Sequence, residues 1–201
     1  MKKVLFFLAA MLMVPMVHAA PEFKEGVNYD VVKQTGSAKP EVMEFFSYFC
    51  PHCATFEPIV EQLKAGLPQG VPFKKNPVNF MGGEMGSEMQ RAYAVANLLN
   101  AEEKVTPAIF GKMQQRQYPT SRDDVKQIFV ANGVSAEEFD GAVDSFAVSG
   151  MVSQFDRNMQ SYNIRGVPAF LVNGKYMVKI ESITSQDQFN KLVQYLLTKQ
   201  D

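Results

Sequence analysis

Cys50 and Cys53 are the only cysteines in the 201-residue chain, and they stand two residues apart in Phe49-Cys50-Pro51-His52-Cys53. Two thiols at this spacing can exchange a disulfide with another protein, supply half of a metal site, or close a small structural loop. The flanking sequence separates these options. The run Val42-Met43-Glu44-Phe45-Phe46 just before the pair reads as a strand, and 55–63 behind it reads as a helix. The pair therefore belongs at a strand-to-helix turn, with the first sulfur at the helix N-terminus. Unpaired N–H groups and the helix dipole favour a thiolate there. A thiolate beside a second thiol is the minimum machinery for thiol–disulfide exchange.

The competing chemistries have little support. A four-residue loop adds only about 2 kcal/mol by loop-closure entropy. A chain this long buries a sizeable core and needs no such staple. The sequence holds two histidines, His18 and His52. If His18 is removed with a leader, His52 is the sole histidine, and a tetrahedral Cys/His zinc site cannot be assembled within one chain. A protease-type Cys–His pair is also disfavoured, since its base comes from a distant part of the sequence. No metal and no separate cofactor is expected.

The N-terminus predicts export. Met1-Lys2-Lys3 is a short basic region, 4–17 is almost wholly apolar, and Val17-His18-Ala19 offers a cleavage site after Ala19. The apolar run is too short to span a bilayer comfortably. An exported chain meets an oxidising compartment, where a disulfide persists. Loss of 1–19 takes Lys2 and Lys3, so basic residues fall from 20 to 18 against 21 acidic ones and the net charge becomes −3. That balance, with no basic run, leaves no footprint for nucleic acid.

Strand character is expected at 27–32, Val42–Phe46 and 71–78, with Pro72 and Pro77 marking an edge or irregular pairing. From 80 to 155 the periodicity is helical. Met85, Met89, Ala92, Tyr93, Ala96 and Leu99 share one face, and Ser135 with Glu138 forms a capping box before Phe139, Val143 and Phe146. Met81, Met85 and Met89 read as ordinary core, or near Met81 as a soft apolar surface for varied substrates. Val148, Val152, Phe155, Met159 and Tyr162 mark a longer helix. Ala169–Val172 and 176–180 flank Asn173-Gly174, the pair preferred in a two-residue type I′ hairpin. A last helix begins at Ser185, with Gln188 completing a capping box. The order predicts an α/β domain over 20–79 and 156–201, interrupted by a helical domain over 80–155 and preceded by a signal peptide at 1–19.

A second motif, Arg165-Gly166-Val167-Pro168-Ala169, puts a proline just before a strand. Local sequence alone favours an ordinary trans bond there. With this motif in hand the chain resembles the DsbA family, periplasmic thiol:disulfide oxidoreductases of Gram-negative bacteria. The residues carrying the resemblance are 44–53 (EFFSYFCPHC), 78–83 (VNFMGG), 165–169 (RGVPA) and 172–176 (VNGKY). The resemblance implies a thioredoxin-like fold with an inserted α-helical subdomain. It implies that Cys50 is the attacked, surface sulfur and Cys53 the buried one, with Pro51 and His52 tuning the pair. It implies a cis Val167–Pro168 bond whose Val167 backbone pairs with extended substrate. It further implies that Glu44 and Lys75 form a charged pair beneath the disulfide. Glu44 stands in an otherwise apolar strand, where an unpaired carboxylate is costly, although the nearby prolines make the partner of Lys75 less certain.

The expected function is oxidation of protein thiols in the periplasm. Clients would be unfolded or partly folded exported proteins with free thiols. An inner-membrane quinone reductase of the DsbB type would restore the disulfide, and a monomer is the default. Two alternatives stay open: a periplasmic reductase or isomerase, and a chaperone-like binding module whose disulfide is incidental. A metal-binding domain would need an intermolecular site.

Overall fold

The computed structural model describes residues 23–199. The proposed signal peptide lies outside the described residues. None of the described helices is long and apolar enough to cross a membrane.

Five strands form one sheet. They are β1 (Tyr29–Val31), β2 (Val42–Phe46), β3 (Phe73–Pro77), β4 (Ala169–Val172) and β5 (Tyr176–Val178), in spatial order β1-β5-β4-β2-β3. Only the β2–β3 pair is parallel, and it is bridged by helix α1 (Pro51–Ala65). Between β3 and β4 the chain is helical: α2 (Glu84–Leu98), α3 (Glu102–Gln114), α4 (Arg122–Ala131), α5 (Ala136–Val143) and α6 (Phe146–Ser161). Helix α7 (Gln186–Thr198) closes the fold. The architecture is a thioredoxin-like α/β fold carrying an inserted helical subdomain. Helix α6 runs continuously through the 155/156 boundary read from the sequence.

The strand period explains how the faces are used. Val42 packs with Phe170, Val172 and the apolar side of α1 and α7. Phe45 and Met43 point the other way, toward Met159 and Tyr162. Phe46 joins Tyr48, Cys50 and Cys53 in the core shared with the insert. Strand β2 is thus covered on both faces, which is why it reads as an apolar run, and Glu44 alternates onto the face that α1 covers. Pro77 ends the edge strand β3, where a missing donor is tolerated.

Several local expectations shift. Strand β1 is shorter than 27–32, because Val27 and Val32 lie outside the ladder and are exposed. Strand β3 starts after Val71, whose N–H instead turns back to Pro68 O at 3.1 Å. Ser135 and Glu138 make the reciprocal cap. At α7, Ser185 accepts from the Gln188 N–H, but the Gln188 side chain reaches Thr184 instead of the Ser185 N–H. The β4–β5 turn has positive φ at Asn173 and Gly174, closed by Lys175 N–H to Val172 O at 3.0 Å, with Lys175 as an extra residue before β5. A polar seam ties β3 to the insert: Gln90 donates to Pro77 O and Asp156, and Asn158 donates to Asn76.

Candidate active site

Cys50 is the N-cap of α1, and Pro51 occupies the first turn, where its missing N–H costs nothing. The Cys50 sulfur accepts the Cys53 N–H at 3.1 Å, as a serine or aspartate cap would with oxygen. Both cysteines are free thiols, so the structure is the reduced form. Cys50 is not the surface residue expected: it is only 3% exposed, because Val167 of the neighbouring loop lies against its sulfur. One turn along, Cys53 is fully buried, while Pro51 and His52 are exposed.

The two thiols are driven apart electronically. The largest influence on Cys50 is the Cys53 thiol donating to its sulfur. Burial opposes this, and the Cys53 and His52 N–H groups and the charge of His52 add to it, leaving Cys50 lowered from 9.0 to about 6. Cys53 is pushed the other way, first by the bond it gives to Cys50 and then by burial. Cys50 is therefore the better nucleophile and leaving group at neutral pH, and Cys53 stays a thiol. Brief treatment of the reduced protein with iodoacetamide at pH 7 should label Cys50 and spare Cys53. The labelling rate should halve near pH 6. Peptide mapping that found Cys53 modified first would reverse the assignment.

The loop before β4 closes the other side of the sulfur. Cys50 Sγ lies 3.4 Å from Val167 O, and the Val167–Pro168 bond is cis. Val167 and Pro168 are half-buried at the surface beside Cys50.

Below Cys53, register sets Glu44 on β2 opposite Lys75 on β3. Lys75 Nζ lies 3.5 Å from Glu44 and 2.6 Å from Glu57 of α1. It also sits over the Phe46 ring, 5.1 Å from its centroid. Both Glu44 oxygens are buried and accept no hydrogen bond. Burial raises Glu44 from 4.5 to about 8, outweighing the attraction of Lys75, and Glu57 adds to the rise. Burial works against the Lys75 charge, but Glu44 and Glu57 outweigh it and leave its pKa raised. These two tendencies are in tension, because a protonated Glu44 attracts Lys75 only weakly. The shorter Glu57 contact therefore carries the Lys75 charge at neutral pH, and Glu44 is held mostly neutral. Glu57 was not singled out from the sequence. Its signal was the four-residue step from Cys53, which places both on one face of a helix.

The insert reaches the same turn. Tyr48 Oη and Thr106 Oγ1 of α3 share a buried hydrogen bond of 2.8 Å. Ser47 Oγ accepts the Phe49 N–H at 3.1 Å. Residues 41–195 match the family model described as a DSBA-like thioredoxin domain. The chain belongs to that family. A DsbA from Pectobacterium carotovorum is 38% identical over 208 residues, spanning 99% of this chain and 100% of its own. One from Escherichia coli is 36% identical with the same coverage. Both carry the name thiol:disulfide interchange protein. Among solved structures, a cysteine-to-serine variant of Proteus mirabilis DsbA with a non-covalently bound peptide superposes with a TM-score of 0.83. It is 34% identical and covers 89% of this chain and 100% of that one. Pseudomonas aeruginosa DsbA gives 0.79 at 27% identity, covering 89% and 94%. This DsbA-family chain is a thiol:disulfide oxidoreductase that donates disulfides.

Proposed function

We propose that the protein oxidises the thiols of unfolded or partly folded exported proteins in the periplasm, with Cys50 as the sulfur that substrate meets. A substrate thiolate attacks Cys50, a substrate–Cys50 disulfide forms, and the Cys50–Cys53 bond breaks. The pair of electrons leaves on Cys53, which takes up a proton. A second substrate thiolate then attacks the substrate sulfur of the mixed disulfide, and Cys50 departs as a thiolate. The substrate has lost two electrons and the protein is a dithiol. No separate cofactor enters, because the disulfide itself is the electron acceptor. An inner-membrane quinone reductase of the DsbB type would return the protein to its disulfide form.

The observation that carries the oxidising direction is the divergence of the two thiols. A Cys50 pKa of about 6 stabilises the dithiol form and makes Cys50 a ready leaving group. Glu44, mostly neutral beneath Cys53, is the candidate proton donor to the departing Cys53 sulfur. Lys75 and Glu57 connect that carboxyl to the partly exposed side of α1. Val167 and Pro168 offer backbone beside Cys50 for an extended segment of substrate. The peptide bound to the Proteus mirabilis relative supports that substrate class.

Equilibration with mixtures of reduced and oxidised glutathione, read by mass shift after alkylation, tests the direction. The dithiol form should predominate until the buffer is strongly oxidising. A disulfide that survives in mostly reduced glutathione would favour the reductase or isomerase alternative. In the same assay His52→Ala should make the pair less oxidising by on the order of 30 mV, since about 30 mV corresponds to one pKa unit for this couple. An unchanged potential would leave the Cys53 bond and the helix terminus as the whole cause.

A further inference from the structure

Three aromatic side chains among the described residues are largely exposed: Phe80, Tyr118 and Phe146. Tyr118 is the one that reaches the redox turn. Its ring lies nearly parallel to that of Phe49, with centroids 6.3 Å apart and planes inclined by 29°. Phe49 immediately precedes Cys50.

The backbone that carries Tyr118 is held at both flanks. Helix α3 closes with Arg116 at φ 59° and the Gln117 N–H on Lys112 O at 2.9 Å. Pro119 follows Tyr118 and is buried, which restricts the Tyr118 backbone to extended conformations. The reciprocal cap between Ser121 and Asp124 then starts α4, and the same aspartate accepts the Thr120 N–H. Gly82, at φ +83°, also lies close against Phe49. A Cβ built there would stand 2.3 Å from the Phe49 ring. Phe49 thus packs against both Gly82 and Tyr118. Half of the Tyr118 surface faces solvent, at 53% exposure, on a backbone with little freedom left to lose.

An exposed aromatic surface packed on the residue that precedes the attacked cysteine has the character of a recognition site. We propose that Tyr118 and Phe49 form a platform for an aromatic side chain within two residues of the substrate's cysteine. This rests on the oxidase reading and adds a substrate preference to it. An extended chain rises about 3.3 Å per residue and repeats its face every second residue, so a neighbour of the substrate cysteine falls within reach of Phe49 and Tyr118. The insert then contributes to substrate choice as well as covering the redox helix.

Two reduced peptides of equal charge, each with a pair of cysteines, test the assignment. One has tryptophan two residues before its first cysteine and the other has serine there. The disulfide form of the protein should oxidise the tryptophan peptide with the higher kcat/KM. In Tyr118→Thr the ratio between the two peptides should fall about three- to tenfold, the range of a single aromatic pair, with the loss in KM. Tyr118→Phe should keep the ratio. An unchanged ratio in Tyr118→Thr overturns the platform, and so does a loss of the ratio in Tyr118→Phe, which would assign the preference to the hydroxyl. Wild-type protein that oxidised neither peptide would overturn the oxidase reading itself.

Discussion

Glu44→Gln should stabilise the reduced protein at pH 7 by about 2–3 kcal/mol and give no gain at pH 4. Glu44 is fully buried and its oxygens accept no hydrogen bond. Its folded pKa of about 8 lies above its ordinary value of 4.5. A group raised in this way contributes its full stability below the unfolded pKa and loses it as pH rises through the folded one. Between pH 4.5 and 8 each pH unit therefore costs the native state about 1.4 kcal/mol through this carboxyl. The amide of Gln does not titrate, and part of the gain is returned because it too is buried without a partner. Urea titrations at pH 4 and 7 decide the matter. Equal stability changes at the two pH values would mean that Glu44 stays ionised, paired with Lys75. The catalytic counterpart is slower release of Cys53 in Glu44→Gln, because a neutral amide cannot pass a proton to the leaving sulfur.

The relative stability of the two redox forms should reverse with pH. The loop between Cys50 and Cys53 stabilises the disulfide form by about 2 kcal/mol. Cys50 opposes it, with a folded pKa of about 6 against an unfolded value of about 8.5. Because the folded value is depressed, the thiolate's contribution is complete above the unfolded pKa and disappears as pH falls through 6. It amounts to roughly 1.4 kcal/mol at pH 7 and about 2.6 kcal/mol at pH 8, and it is close to zero at pH 5. The disulfide form should thus melt higher at pH 5 and the dithiol form higher at pH 8, with the crossing between pH 7 and 8. Melts of both forms across this range measure it. A disulfide form more stable throughout would show that Cys50 is only weakly acidified, and the oxidising reading would weaken with it.

The redox turn was legible because its determinants are local. Strand β2 coincides with the apolar run read at Val42–Phe46, and Cys50 lies at the helix start that the following residues predict. The Ser135 cap was legible for the same reason. What lay hidden depends on packing between distant segments. That Lys75 faces Glu44 was expected only through the resemblance, because the register of a parallel pair is announced by no residue between them. Glu57 gains its place only once α1 settles over β3. The meeting of Phe49 and Tyr118 requires the insert to fold back on the redox turn. Helix α3 was visible only as part of a helical stretch, because Pro107 and Gly111 interrupt its pattern.

The sheet order also dictates when the protein can become whole. Strand β2 lies between β3 and β4, and its partner β4 arrives about 130 residues later, with Val42 opposite Val172. A chain leaving a ribosome or a translocation channel presents β2, α1 and β3 long before that neighbour exists. Until then Val42 and Phe45 lack the strand that covers one side of β2. Five helices emerge in the interval, each built from local contacts that form quickly. As they pack together they draw the ends of the long excursion closer, which lowers the chain-closure entropy that the final pairing must overcome. The inserted helices thereby act as a folded tether, and the last strands complete a sheet whose other half has been waiting since early in synthesis.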